Sequence, residues 1–211
     1  MDILDENLSA YIAGLYDRLD DPVLLQMETL AVEREFPIVG RVCGATLEML
    51  ARSIDARRVF ELGSGFGYSA WWFARAVGPQ GSVSLTDGDE ENIAQARDYL
   101  ERAGLKHRCT FLVGDAFESL NATQGDFDVI YCDIDKGDYP EAFRLAAERL
   151  RVGGMYMCDN VLWKGKVTEQ DTDDEWTRAI QQHNEAIYAD DRFLTTIIPI
   201  RDGILCALRI K

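Results

Sequence analysis

The sequence predicts an α/β fold: a doubly wound, mostly parallel sheet that ends in an antiparallel C-terminal hairpin and is preceded by helices. Three observations predict it. Short β-branched or apolar runs alternate with longer amphipathic stretches beyond about residue 56, a glycine cluster lies between the first such run and the next stretch, and the last two runs are separated by only three residues.

Residues 1 to about 55 read as helices, because apolar positions recur at three and four spacing, as in Leu8, Ile12 and Leu15 and again in Val23, Leu24, Met27 and Leu30. Candidate buried strands follow at Arg57 to Leu62, Ser82 to Thr86, Cys109 to Val113, Phe127 to Cys132 and Met155 to Cys158. Helical periodicity fills Tyr68 to Val77, Glu90 to Ala103 and Tyr139 to Leu150, the last two entered through acidic first turns that suit the helix dipole. A polar helix from Asp173 to Tyr188 precedes strands at Phe193 to Ile200 and Ile204 to Ile210, whose connection, Arg201, Asp202 and Gly203, is too short for anything but antiparallel neighbours.

At 211 residues one domain is expected, residues 1–211, with 1–55 a helical cap and 56–211 the sheet core. No linker or repeat interrupts it, so the N-terminal helices pack on the same domain and are candidates for a lid or a dimer contact. A hydrophobic share of 47% with 28% charged residues is that of a globular chain rather than a disordered or membrane one. The net charge of −15 makes nucleic acid and anionic membrane surfaces unfavourable partners. Five scattered cysteines with no Cys-x-x-Cys pair signal neither zinc nor a disulfide framework, and a start of Met1 to Glu6 without a basic and apolar leader fits a cytoplasmic protein.

Val59, Phe60, Glu61 and Leu62 lead into Gly63-Ser64-Gly65-Phe66-Gly67, with a helix starting near Tyr68. A strand, a glycine turn and a helix N-terminus aim backbone N–H groups at a ligand. The dinucleotide fingerprint needs its third glycine at position 68, where Tyr68 stands, so a nicotinamide cofactor is disfavoured. The pattern with a preceding acid resembles instead the first motif of methyltransferases that use S-adenosylmethionine, whose methionine tail lies against bare backbone. Asp87, about twenty residues on, suits a ribose diol. Gly114, Asp115 and Ala116 suit an adenine edge, with a plain helix cap at Asp115 the competing reading.

The fourth strand ends in Asp133-Ile134-Asp135-Lys136 and the fifth in Asp159-Asn160. Strand ends of a doubly wound sheet open into one crevice, so Asp133, Asp159 and Asn160 are expected to converge. Two carboxylates and an amide oxygen suit Mg²⁺, unless the acids cap separate turns. Lys136 is placed to take a proton there, or is a surface lysine paired with Asp135 or Asp138. Trp163 is either a wall of the crevice or a packing residue, and Trp71 and Trp72 belong to the core.

Taken together, Glu61 to Ser69, Asp87, Gly114-Asp115-Ala116, Asp133-Ile134-Asp135-Lys136 and Asp159-Asn160-Val161-Leu162-Trp163 resemble the metal-dependent O-methyltransferases of the catechol and caffeoyl-CoA type over positions 37 to 210. The resemblance implies seven strands, a homodimer and O-methyl transfer to a small catechol-like phenol. It places S-adenosylmethionine against Val39, Glu61, Gly63, Gly65, Phe66, Gly67, Ser69, Asp87, Gly114, Asp115, Ala116 and Asp133. It places Mg²⁺ or another divalent cation on Asp133, Asp159 and Asn160, and the general base at Lys136. Pro37, Ile38, Val39 and Cys43-Gly44 depart from the family's pattern ahead of the first strand. The first 36 residues hold nine acids, Asp2, Asp5, Glu6, Asp17, Asp20, Asp21, Glu28, Glu33 and Glu35, against Arg18 and Arg34. A coenzyme A tail is poorly received by that charge, which favours free phenols. The competing functions are a nicotinamide-dependent oxidoreductase on the same sheet and an S-adenosylmethionine-binding protein without catalysis. His107 and His183 stand apart, with no G-x-S-x-G elbow, so a hydrolase triad has no support.

Overall fold

The computed structural model describes residues 6–16 and 18–211. Of the start read from Met1 to Glu6, residues 1–5 lie outside the described residues, and so do three of the acids, Asp2, Asp5 and Asp17. The helices α1 (Glu6–Gly14), α2 (Pro22–Glu33) and α3 (Gly40–Ser53) come first. The core follows as β1 (Arg58–Leu62), α4 (Tyr68–Ala76), β2 (Ser82–Asp87), α5 (Glu90–Arg102), β3 (Cys109–Val113), α6 (Ala116–Ala122), β4 (Phe127–Cys132), α7 (Tyr139–Arg149), β5 (Leu150–Cys158), α8 (Glu175–Ala189), β6 (Phe193–Ile198) and β7 (Ile204–Arg209).

The strands form one seven-stranded sheet in the order β3-β2-β1-β4-β5-β7-β6. The first five strands pair in parallel, while β7 inserts antiparallel between β5 and β6. One face of the sheet is covered by α2 to α5 through residues such as Leu24, Leu47, Trp71 and Ile93. The other is covered by α6 to α8 through Leu120, Phe143 and Ile180. The chain turns from one face to the other between β1 and β4, and that reversal opens a crevice at their carboxyl ends.

Register decides what meets there. Leu62 lies opposite Cys132, and Cys132 opposite Cys158, so the next residues, Gly63, Asp133 and Asp159, emerge side by side. The ladder continues one step past the strands: Asp133 N–H donates to the Leu62 carbonyl (2.9 Å) and Asp159 N–H to that of Cys132 (3.1 Å). A Cβ at Gly63 would run into the Asp133 carbonyl, so this position needs glycine for space as well as for its φ of +77°.

Two elements differ from the expectation. The fifth strand starts at Leu150 rather than Met155, and α7 stops at Arg149. The register slips between Phe127 and Val129, where Gly153 and Gly154 form an irregular stretch, and those glycines interrupt the apolar run that marks a strand. Helix α6, seven residues long, matches the helix-cap alternative at Asp115: the Asp115 side chain accepts the Glu118 N–H at its N-terminus.

The cap is bound to the core by a charged knot. Arg41 makes a two-pronged pair with Glu28 (2.8 Å to each oxygen), and the Tyr68 hydroxyl donates to the same carboxylate (2.8 Å). Trp72, edge-on to Trp71, packs over Gly44 of α3, where a Cβ would overlap the indole. Gly44→Ala is therefore expected to cost roughly 1–2 kcal/mol as overpacking exceeds the helix-propensity gain. A denaturant midpoint left unchanged or raised would contradict this packing.

Candidate active site

The glycine loop is tied to β2. Ser64 N–H donates to the Thr86 carbonyl (2.8 Å), Gly63 N–H to the Thr86 hydroxyl (3.3 Å) and Gly65 N–H to the Asp87 carboxylate (2.9 Å). Asp87 also accepts from Asp89 N–H (2.9 Å) and the Asn92 amide (3.1 Å), so its half-buried carboxylate is fixed before any ligand arrives. Gly67, at φ +88°, starts α4 directly behind the loop. Val39, Gly63, Gly65, Phe66, Ser69, Asp87 and Asp133 line one cleft, with Phe36, Pro37 and Ile38 as its outer wall. Gly114, Asp115 and Ala116 line a second, with Asp87 and Asp133 again.

Glu61 lies fully buried beneath the loop, and neither side-chain oxygen has a hydrogen-bond partner. Burial pushes its carboxyl up to about 8, Ser69 pulling it down in part without reaching bonding geometry and Asp133 adding to the rise.

A third cleft holds Asp133, Lys136, Asp159, Asn160 and Trp163. Lys136 Nζ donates to Asn160 Oδ1 (3.0 Å) and to the Ile134 carbonyl (3.2 Å), and stands 3.5 Å from Asp133 Oδ1. The structure thus places Asp133, Lys136, Asp159 and Asn160 in one cleft, and Lys136 faces Asp133 and Asn160 rather than Asp135 or Asp138. Asp133 lies deep, yet its side chain keeps 32% of its surface open towards the clefts. Burial raises its carboxyl, with Lys136 and Arg201 opposing.

Asp159 is 1% exposed. Its Oδ2 is paired with Arg201 Nη1 at 3.4 Å, and its Oδ1 has no partner. Burial, then the Asp133 charge, raises this carboxyl to about 7. A buried carboxylate oxygen with no donor, beside a second carboxylate and an amide oxygen, fits a hard divalent cation. Asp133, Asp159 and Asn160 are the residues able to hold one.

The loops around this cleft are strained. Four of the seven non-glycine residues with positive φ among the described residues, Asn160, Trp163, Lys164 and Arg201, line it. Such conformations cost on the order of 1–2 kcal/mol each for most residues, and their concentration marks a place where geometry is held against that cost. The two loops are laced together: Val161 N–H donates to the Gly203 carbonyl (3.2 Å), Leu162 N–H to that of Asp202 (2.8 Å) and Lys164 N–H to the Asp202 carboxylate (2.6 Å).

Several site residues were not singled out from the sequence. Arg201 was read only as part of a hairpin turn; its signal is topological, since β7 lies beside β5 and so brings the turn to Asp159. Thr86 carries no signal in the sequence beyond its place at the end of the second strand, and Phe36 carries none. Tyr139 was read as helix, yet its hydroxyl donates to the Asp159 carbonyl (2.7 Å) and its ring lies under Lys136 (4.9 Å). Trp163 fills both of its candidate roles, lining the cleft while packing edge-on against Trp176.

A seven-stranded sheet with this strand order, a glycine loop at its switch point and an acid ending β2 defines a nucleoside-binding α/β protein. The profile of the O-methyltransferase family matches residues 18–210, and the chain belongs to that family. It is 31% identical over 199 residues to a catechol O-methyltransferase of Niastella koreensis, covering 92% of this chain and 90% of that one. It is 30% identical over 181 residues to caffeoyl-CoA O-methyltransferase 2 of Populus trichocarpa, covering 80% and 73%. Among solved structures, the O-methyltransferase TomG of Streptomyces achromogenes, in complex with S-adenosylmethionine, superposes with a TM-score of 0.89 at 28% identity, covering 97% and 96%. The protein is an enzyme, an O-methyltransferase that uses S-adenosylmethionine. No helix among the described residues is long and apolar enough to cross a membrane.

The buried acids set a pH dependence. Glu61 and Asp159 have folded pKa values raised to about 8 and about 7 from 4.5 and 3.8, so their contribution to stability is full in acid and is lost as pH rises towards 8. Buried His183, lowered to about 4 from 6.5, acts oppositely and only below pH 6.5. Metal-free protein is therefore expected to lose stability from pH 6.5 to 8 in chemical denaturation, and Glu61→Gln to flatten that slope. A slope unchanged in the variant would show that the Glu61 carboxyl is already ionised in the folded protein at pH 6.5.

Proposed function

We propose that the enzyme methylates one hydroxyl of a small aromatic vicinal diol, with a divalent cation such as Mg²⁺ held by Asp133, Asp159 and Asn160 and with Lys136 as the general base. One observation carries this reading: Asp133 borders all three clefts, so the acidic cluster adjoins both the glycine-loop side and the Gly114 side of the nucleoside crevice. The names of the relatives support the catechol-like acceptor.

When bound, S-adenosylmethionine supplies an electrophilic methyl group and the divalent ion an electrostatic clamp for two neighbouring oxygens that also makes a phenol more acidic. The chain does the rest. Bare backbone at Gly63 and Gly65 admits the methionine end, with Val39, Phe66, Ser69 and buried Glu61 around it. Asp87 accepts from the ribose hydroxyls, and Gly114, Asp115 and Ala116 border the adenine. Asp133 shapes the junction between donor and acceptor.

Lys136, held by the Asn160 amide and by the Tyr139 ring, is in place to take the phenolic proton. With the donor bound, the deprotonated substrate oxygen would bond to the methyl carbon in line as the carbon–sulfur bond breaks, leaving S-adenosylhomocysteine as a thioether and the proton on Lys136, so that anion and sulfonium charge cancel. A poorly solvated pocket favours such a reaction, and Trp163, Pro37 and Ile38 exclude water on the acceptor side. A diol chelates through two oxygens where a lone phenol has one, so lone phenols are poor acceptors.

Asp159 lines the acceptor cleft and neither of the other two, which separates chemistry from cofactor binding. Asp159→Asn is expected to lose methylation of catechol by about a hundredfold or more, an effect of the size seen when catalytic groups are removed, with S-adenosylmethionine affinity little changed. Excess chelator should do the same to the parent enzyme. Full turnover of catechol in chelator would end the metal reading.

A further inference from the structure

We propose that Arg201 selects acceptors bearing a ring carboxylate, so that the substrate is a dihydroxybenzoate-like acid rather than a neutral catechol. This rests on the vicinal-diol reading above and narrows it.

Arg201 occupies the turn closed by the Gly203 N–H to Ile200 carbonyl bond (2.9 Å), at φ +49°. That conformation favours glycine, so a long side chain here is held at a backbone cost. Its side chain lines the acceptor cleft and also the neighbouring groove formed by α1, the start of α3 and Ile200. The guanidinium meets Asp159 at 3.4 Å through Nη1 and bears on the buried Cys43 thiol, while 39% of the Arg201 side chain stays exposed. The planar fork therefore keeps donors to spare, in the geometry that matches a second carboxylate.

Charge balance points the same way. Three acids of the cleft, Asp133, Asp159 and Asp202, are matched by three bases, Lys136, Lys164 and Arg201. A divalent ion would leave this cleft with surplus positive charge, to which the donor's sulfonium adds, and a diol that has lost one proton offsets only part of it. A further negative charge on the acceptor is therefore favoured, and a planar carboxylate is the group whose geometry matches a guanidinium. Lys164 is the weaker candidate to hold that group, because its backbone N–H is bound to Asp202 while its side chain stands exposed at the rim.

The test compares 3,4-dihydroxybenzoate with catechol as acceptors for the parent enzyme and for Arg201→Met, Arg201→Lys and Arg201→Gly, with S-adenosylmethionine and Mg²⁺ present. Arg201→Gly keeps or relaxes the turn, so a failure of the other variants to fold does not remove the answer. The parent is expected to favour the acid by about tenfold or more in kcat/KM, chiefly through KM, the size of effect expected of a polar pocket contact. That ratio should collapse towards one in Arg201→Met and Arg201→Gly and survive in part in Arg201→Lys. A general structural defect lowers both substrates alike and leaves the ratio intact. A parent that prefers catechol, a ratio unchanged in the Arg201 variants, or a ratio that collapses in Lys164→Met instead would overturn the proposal. Methylation of neither diol by the parent would overturn the diol reading and this inference together.

Discussion

The structure depends on the enforced proximity of two carboxylates. Parallel pairing of β4 with β5 fixes where Asp133 and Asp159 leave the sheet, and neither can move without breaking the ladder bonds that continue past the strand ends. Like charges in a poorly solvated crevice repel, and burial raises both carboxyls above their ordinary range. The chain answers with cations on two sides, Lys136 against Asp133 and Arg201 against Asp159. It still leaves Asp159 Oδ1 without a partner. Methyl transfer from a sulfonium benefits from the same arrangement, because charges gathered in a dry cleft are present before the reaction begins and need no rearrangement during it.

Support for the pair reaches well beyond the crevice. The Tyr139 hydroxyl holds the Asp159 carbonyl, and its ring packs against buried His183, whose own nitrogen meets the Tyr156 hydroxyl at 3.1 Å. On the opposite face the Glu28, Arg41 and Tyr68 knot ties α2 and α3 to the first residue of α4, one position beyond the glycine loop. The N-terminal segment thus bears on the glycine loop through Tyr68 and, through Pro37 and Ile38 in the connection between α2 and α3, on both the glycine-loop cleft and the Asp159 cleft.

Much of this was legible in the residues. The glycine turn after a β-branched run, the acid ending β2, and the Asp-x-Asp-Lys and Asp-Asn segments each announce a strand end, and topology does the rest, because strand ends of such a sheet share one crevice. Less legible was anything that depends on a neighbour distant in sequence. The early start of β5 is hidden by Gly153 and Gly154, whose irregular backbone belongs to the register with β4. Arg201 carries no local signal, since its role comes from the insertion of β7 beside β5. The left-handed conformations of Trp163, Lys164 and Arg201 oppose their residue types, so local propensity argues against the geometry that the loops adopt. Sequence rules fail here because the packed loops outweigh local preference.

The carboxylate pair is tested most directly without any acceptor, by calorimetric titration of Mg²⁺ and Mn²⁺ into protein loaded with S-adenosylhomocysteine. One ion bound per chain, with binding lost when both Asp133 and Asp159 are changed to Asn, is the predicted result. Heat-silent titration through the millimolar range, or undiminished binding in the doubly changed protein, would mean that the two acids do not form a cation site.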